Sequence, residues 1–313
     1  MLEEKKAPGG NRGARKITYK QHNRTPLDFK AIDAVQNFNA ALDSAGLATK
    51  DKIIPDGKLH RFTVKGDKAG TKNGWYVLYG DGLPAGAFGC WKRQISESWC
   101  SKTDRQMTVV ERSKFKRRML EARAAREAEE TERRKAARDK ALYIWKASAP
   151  APKDHSYLVK KSVKNHGLRL HKSMLVVPVR DSEGNLHSLQ FIDDEGNKRF
   201  LSGGLKKGCY FAIGSPTESL CIAEGYATAA TIYEATGLSV AVAFDAGNLM
   251  AVAQAIRAKF PHIKITLCAD NDIKTPGNPG LTRAREAAAA VGARLAVPPC
   301  HGDFNDYYTG GTE

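Results

Sequence analysis

Apolar residues recur at Phe29, Ile32, Val35, Phe38, Ala41 and Leu42, and the run stops at Gly46. That is the three-and-four spacing of one helical face, closed by a glycine. It predicts a helix over residues 27–48. Between residues 52 and 101 the rhythm shortens. LHRFTVKGD, NGWYVLYGDG and PAGAFGCW are brief β-type runs broken by Gly, Asn and Asp, and Tyr79-Gly80-Asp81-Gly82 reads as a hairpin turn. Residues 27–103 are therefore expected to form a small α+β module. The Gly-, Arg- and Lys-rich stretch before it, residues 1–26, is expected to be a flexible basic arm.

Residues 104–147 lose apolar periodicity altogether. Between Glu111 and Lys140, 19 of 30 residues are charged, and Ala supplies six of the other eleven. Good helix formers and i,i+4 pairs such as Glu130 with Arg134 predict a solvated helix. No sustained heptad seam is present, so a single spacer helix is expected rather than a coiled coil. The Ala149-Pro150-Ala151-Pro152 segment ends it and marks a boundary, giving a linker over residues 104–152. Strand patterns return at residues 174–180 and 186–192, joined by the turn Asp-Ser-Glu-Gly-Asn, within a β-rich subdomain spanning residues 153–217.

From residue 218 to 313 the pattern alternates. Apolar strands at 220–223, 239–244, 264–269 and 294–297 are separated by helices at 227–236, 249–260 and 281–291. Such βαβ repetition predicts an α/β fold with a parallel sheet covered by helices.

Charge sharpens this picture. The 313 residues carry a formal charge of +16. Residues 1–150 hold 32 Lys+Arg against 18 Asp+Glu, or +14, and the remainder holds 18 against 16, or +2. A skew of that kind points to a polyanion partner gripped mainly by the first half. No apolar run is long enough to span a membrane, and no secretory signal is visible, so a cytoplasmic protein without membrane contact is expected. The six cysteines are scattered with no C-x-x-C pair, which argues against zinc and against a disulfide framework. No GxxxxGK[ST] loop occurs, so the chain shows no ATPase motor of its own.

In open α/β sheets ligands bind beyond the carboxyl ends of the strands. Three strand ends here deliver acids. The first is followed by Glu224-Gly225, the third by Asp270-Asn271-Asp272, and the fourth by Gly302-Asp303-Phe304-Asn305-Asp306. Carboxylates gathered on one edge repel one another unless cations lie between them. Glu224, Asp270, Asp272, Asp303 and Asp306 are thus candidate ligands for Mg²⁺ or Mn²⁺, with substrate phosphates completing the shell. Helix capping by the same residues is the structural alternative.

IAEGYATAATIYEATG, LCADND and VPPCHGDFND together resemble the Toprim domain of topoisomerases, bacterial primases and some nucleases, over about residues 218–308. By this resemblance Glu224 is the motif glutamate, Asp270 and Asp272 are the metal-binding pair, and Asp303 and Asp306 are the later acidic pair of DnaG-type primases. Those primases carry an aspartate four residues after the motif glutamate, where this chain has Thr228. The preceding stretch, QFIDDEGNKRFLSGGLKKGCYFAIG, resembles the primase segment ahead of the Toprim motif. It implies nucleotide- and template-binding roles for Lys198, Arg199, Lys206 and Lys207. Residues 60–92 are similar to the N-terminal part of primases encoded by phages, plasmids and integrated elements. There Arg61, Lys68 and Lys72 lie among Trp75 and Trp91, a mixture that can track phosphates and stack bases. Since adjacent strand residues face opposite ways, one of Trp75 and Tyr76 is expected in the core.

The resemblance implies a DNA primase, a nucleotidyltransferase making short RNA primers on single-stranded DNA from NTPs for a mobile element, working with a separate helicase. Two alternatives use the same residues: a Toprim-type metal-dependent nuclease, and a non-catalytic nucleic-acid-binding replication or defence factor.

Overall fold

The computed structural model describes residues 26–310 apart from residues 69 and 94, with side chains from residue 33 onward. The basic arm expected over residues 1–26 lies outside the described residues, save its last. The chain divides into two compact units, Met1–Glu127 and Ala128–Glu313.

In the first unit, helix α1 (Pro26–Ser44) precedes four strands: β1 (Asp56–Phe62), β2 (Gly74–Tyr79), β3 (Ala85–Cys90) and β4 (Ile95–Cys100). They pair antiparallel in chain order. The predicted apolar stripe does the joining. Phe38 and Leu42 of α1 are fully buried against Phe62, Tyr76, Leu78 and Phe88 of the sheet. Phe38 meets Tyr76, Phe88 and Trp99 edge-on, with centroids 5.9, 5.5 and 5.5 Å away. Gly86 makes room for it, since a Cβ there would stand 2.4 Å from the Val77 carbonyl and 3.1 Å from the Phe38 ring.

Both Trp75 and Tyr76 are buried, at 2% exposure each, where one was expected to be. The second face of this sheet is covered too. Helix α2 (Val109–Ala147) begins here, and its Arg126 guanidinium lies 5.0 Å from the Trp75 ring. Arg118 of the same helix is buried. It donates to the carbonyls of Asp81 and Leu83 at 3.0 Å each, pairs with the Asp81 carboxylate at 2.6 Å, and stacks over Tyr79. The helix is single and continuous, as its composition predicts, but it is not a purely solvated spacer. The division between the units falls inside it, between residues 127 and 128.

The second unit holds two five-stranded sheets. The first runs β5 (Ala149–Pro150), β6 (Arg169–His171), β7 (Met174–Arg180), β8 (Leu186–Ile192) and β9 (Lys198–Phe200), all antiparallel and in chain order, with α3 (Ser156–Lys160) between β5 and β6. The second contains β10 (Phe211–Ile213), β11 (Ser219–Ala223), β12 (Ser239–Val242), β13 (Lys264–Cys268) and β14 (Arg294–Ala296), ordered β10-β12-β11-β13-β14. Its last four strands are parallel, and β10 joins β12 antiparallel. Helices α4 (Tyr226–Thr236), α5 (Ala246–Lys259) and α6 (Pro279–Val291) make the crossovers, and a short α7 (Phe304–Thr309) follows β14.

Strand alternation assigns the layers. Leu220 and Ile222 of β11 face Leu249, Val252 and Ile256 of α5 and Ala284, Ala287 and Ala288 of α6. Cys221 and Ala223 face α4 and, with it, Leu175, Val177 and Val179 of the antiparallel sheet. The segments 153–217 and 218–313, set apart by the sequence pattern, therefore share one core. Ala141 and Ile144 at the end of α2 cover the outer face of the antiparallel sheet, against Val176, Leu189 and Phe191. Among the described residues no helix is long and apolar enough to cross a membrane.

Candidate active site

The carboxyl ends of the parallel strands deliver the acids to one edge. Glu224 follows β11 and Asp270 lies two residues beyond β13, and these two strands are direct neighbours. Burial pushes the Glu224 carboxyl up to about 7, with Asp272, Asp245 and Asp303 adding to it. Burial, then the charges of Glu224, Asp303 and Asp272, push Asp270 up to about 8 against the opposing pull of Lys198. Among the described residues, Glu224 Oε1 and Asp270 Oδ1 are buried without a hydrogen-bond partner. Unpaired buried carboxylate oxygens are costly, so their presence needs a reason beyond stability.

The backbone around them is pinned. Asn271, between the two aspartates, exchanges main-chain hydrogen bonds with Gly302 at 2.8 and 3.1 Å and donates its amide to the carbonyls of Pro298 and Cys300. Asn278 donates to the Asn271 side chain and accepts from the Asp272 amide, at 3.0 and 2.9 Å. Gly280, at the start of α6, presses against the pair. A Cβ there would stand 3.1 Å from Glu224 Oε1 and 3.0 Å from the Asp270 carbonyl.

Asp303 caps α7, accepting from the amides of Asn305 and Asp306 at 2.7 and 3.0 Å. Its other oxygen accepts from the Thr228 hydroxyl at 2.8 Å. Thr228, where the DnaG-type primases that the sequence resembles have an aspartate, is buried and supplies a donor in place of a further negative charge. Asp306 does not join the cluster. Its carboxylate closes the capping box with the Asp303 amide and pairs with Lys161 at 3.0 Å. Capping thus occupies both Asp303 and Asp306, but of the two only Asp303 also acts on Glu224 and Asp270, which leaves Glu224, Asp270, Asp272 and Asp303 as the interacting set.

Asp245 was not among the sequence candidates, yet it is one of the charges that act on Glu224. It stands at the N-cap position of α5 just beyond β12, beside Gly247, so the remaining parallel strand is also followed by an acid. Lys206 pairs with it. The Lys206 loop is held by the buried Asn248, which accepts from the Gly208 amide at 2.9 Å and faces the carbonyls of Lys206, Cys209 and Ala243. Lys198 is exposed as a residue, yet its Nζ comes within 3.6 Å of where a Cβ on Gly225 would stand. Burial around that ammonium lowers its pKa, and Lys161 adds to this, while Asp303, Asp270 and Glu224 oppose it. A cleft of about 160 Å³ opens here, lined by Lys160, Lys161, Lys198, Tyr157, Thr228 and Asp303, among others.

Arg199 does not share this site. It is the next residue on β9 and so turns to the other face, where it lies 5.8 Å from the Phe191 ring and 3.0 Å from Met174 Sδ. Lys207 is exposed on the Lys206 loop. In the first unit, Trp75 is too buried to offer a stacking face, which corrects its assignment as a base-stacking residue. Arg61 donates to the Lys72 carbonyl and lies over Trp91, while Lys68 and Lys72 are exposed.

Among the described residues no three His, Cys, Asp or Glu side chains form a ready-made metal cage. The donor set still suits Mg²⁺. It is all oxygen, two of its oxygens are buried and unpartnered, and Mg²⁺ takes one or two carboxylates plus substrate phosphates and water rather than a closed protein shell.

Residues 219–312 match the Toprim domain family. Over 288 residues the chain is 34% identical to a DNA primase TraC of Escherichia coli, covering 86% of this chain and 27% of that protein. A second E. coli protein of that name is 33% identical over 297 residues, covering 90% of this chain and 20% of its own length. The chain thus spans about a quarter and a fifth of the lengths of these two relatives. Among solved structures it is similar to the primase fragment of the bacteriophage T7 primase-helicase, with a TM-score of 0.40, 20% identity, and coverage of 52% of this chain and 75% of that one.

Proposed function

From a chain whose residues 219–312 form a Toprim domain, we infer a DNA primase, a nucleotidyltransferase that joins NTPs into short primers on a single-stranded DNA template. The relatives that share a third of its residues over most of its length are DNA primases by name. The observation that carries the reading is the pair of buried, unpartnered carboxylate oxygens on neighbouring parallel strands, with a partly desolvated lysine beside them.

Glu224, Asp270, Asp272 and Asp303 would hold Mg²⁺ or Mn²⁺. The ion would neutralise the incoming triphosphate and stabilise the attacking and leaving oxygens. The other roles belong to the chain itself. Lys198 sits between this cluster and the 160 Å³ cleft, where its ammonium can pair with phosphate oxygens. Glu224 either joins those ligands or, standing outside the ion's shell, takes up the proton of a primer 3′-hydroxyl. Lys206, steered by Asp245, stands ready to exchange that partner for a phosphate. Lys207, and in the first unit Lys68, Lys72 and Trp91, would contact the template backbone. A replicative helicase as a separate partner completes the proposal.

The test is primer synthesis by the purified chain on single-stranded DNA with NTPs and Mg²⁺. Chains lengthened by ribonucleotides, and lost with Asp270→Asn, support the reading. No product, alongside a reference primase that works in the same tube, would overturn it. Shortened DNA would favour a nuclease.

A further inference from the structure

Asp245 occupies the N-cap position of α5, where an aspartate ordinarily accepts from the first helix amides. Among the described residues its side chain makes no such bond, and the carboxylate is turned to the Lys206 ammonium instead. The backbone that aims it is strained. Phe244, the residue before it, has φ +75°, a left-handed conformation that bulky side chains rarely adopt. Such a conformation is costly and persists only where its surroundings fix it. Here the Phe244 ring is buried edge-on against Phe200, with centroids 5.7 Å apart. The Lys206 ammonium lies over that same Phe200 ring, 5.1 Å from its centroid.

Asn248 holds both members of the pair. Its main-chain amide donates to the Asp245 carbonyl at 3.1 Å, and its buried side chain ties down the backbone of Lys206, Gly208 and Cys209. Stability does not account for this construction. The Lys206 and Asp245 side chains are 37% and 41% exposed, and ion pairs that open to water contribute little. The same exposure leaves both within reach of a ligand. The charge of Asp245 also bears on Glu224, so Lys206 masks a carboxylate that otherwise adds to the acidic edge.

We propose that Asp245 is a specificity-determining residue, a tethered counter-ion that makes this edge prefer a nucleoside triphosphate complexed with a divalent cation over the bare triphosphate. The inference rests on the preceding reading, in which Lys206 meets phosphate. A phosphate that takes Lys206 has to displace the carboxylate, and the displaced carboxylate then stands unmasked beside Glu224. A bare triphosphate therefore gains one lysine and meets one more negative charge. A triphosphate that arrives with a divalent cation meets the same carboxylate with a positive charge at hand, which offsets the repulsion. Nucleotide and cation are coupled through one side chain, and by linkage each strengthens the binding of the other. Asp245 acts through Lys206, not on the reacting oxygens.

The test uses the full chain without template, so that binding is read without primer synthesis. ATP is titrated by calorimetry in EDTA and again in millimolar Mg²⁺. The ratio of the two dissociation constants is compared between variants, since complexation of ATP itself is common to all of them. Asp245→Asn, which keeps a good N-cap residue, is expected to tighten ATP binding in EDTA by about fivefold, the upper end for a half-exposed ion pair. In Mg²⁺ its affinity should stay close to wild type, so the ratio falls by the same factor. In a Lys206→Gln background the gain in EDTA should shrink, because no ion pair is left to break. A gain of full size in that background would reduce Asp245 to one more repelling charge and overturn the proposal. Unchanged or weaker ATP binding by Asp245→Asn in EDTA overturns it as well, since a metal ligand or a purely structural residue would behave so. Should Asp245→Asn not fold, Asp245→Ser carries the same expectations and decides. Wild type that binds ATP in Mg²⁺, with no shift in the variant, overturns this inference and leaves the primase reading standing. Wild type that binds no ATP in either condition overturns both.

Discussion

Replacing Gly280 by alanine should lower activity while leaving the fold as stable as before, or more so. Gly280 is the second residue of α6, and its missing side chain lets the helix start lie directly on the acidic pair. An added Cβ would meet the Asp270 carbonyl at 3.0 Å, Glu224 Oε1 at 3.1 Å and Asp270 Cβ at 3.2 Å, all closer than the ordinary contact range that begins at 3.4 Å. Relief requires shifts of roughly 0.2–0.4 Å, shared between α6 and the carboxylates. Catalytic groups tolerate about 0.5 Å of misplacement, and 1 Å costs on the order of a hundredfold, so a loss of about tenfold in primer synthesis is expected. Against the clash, alanine in a helix gains up to about 1 kcal/mol over glycine, less in a first turn. Urea unfolding should therefore show a change within about 1 kcal/mol of wild type. The assay pairs that melt with initial rates of primer synthesis over a Mg²⁺ titration. A variant as active as wild type at every Mg²⁺ concentration would refute the argument that Gly280 sets the position of the carboxylates. A strongly destabilised variant would refute the small relaxation assumed here.

Three other outcomes follow from the contacts. Thr228→Val removes the donor to Asp303 at 2.8 Å and should cost about 1–3 kcal/mol in urea unfolding. Thr228→Asp, which restores the acid of related primases, should cost more without metal and recover part of the loss in millimolar Mg²⁺. Equal stability of the two variants in EDTA would contradict this. Asn248→Ala strips the Gly208 amide and three carbonyls of their buried partner and should destabilise by about 3 kcal/mol or more, measured the same way. Asp181 is partly buried, which raises its pKa. Hydrogen bonding with His187 at 2.7 Å and from Asn185 outweighs that and holds the carboxyl down at about 2, below an ordinary value of 3.8. A depressed carboxyl stabilises the fold above its unfolded pKa and loses that contribution as pH falls through its folded pKa. The gap between wild type and Asp181→Asn should be about 2 kcal/mol at pH 7 and shrink below pH 4, and a constant gap would count against it.

The parallel sheet was legible because each strand is a short apolar run and each helix has its own length. The acids that matter were legible where a strand end could be located, as at Glu224 and Asp270. Asp245 escaped because it stands after a strand whose apolar run continues through Phe244, with one lone acid and no D-x-D spacing to mark it. Asp306 and Arg199 lie apart from the carboxylate cluster for a shared reason. A motif fixes position along the chain, while the direction of a side chain is set locally, by a capping box in one case and by strand parity in the other. Periodicity shows that a face is buried, not what buries it. That is why Trp75 and Tyr76 are both core, and why the antiparallel and parallel sheets share an interior that no pattern announces.

The shared interior also bears on where the chain can be cut. The match to the Toprim family begins at residue 219, and a fragment starting there would look like a self-sufficient domain. It would instead expose the side of its sheet formed by Cys221, Ala223, Val240 and Val242, together with the inner surface of α4, all now covered by Leu175, Val177, Val179 and Ile192. The smallest autonomous piece of the second unit must carry its own antiparallel sheet, and the outer surface of that sheet in turn calls for the end of α2 around Ala141 and Ile144. Recombination or expression at the family boundary should yield insoluble protein, whereas a start upstream of residue 141 should yield a folded one. The unit of inheritance recognised by similarity and the unit of folding are, in this chain, different lengths of polypeptide.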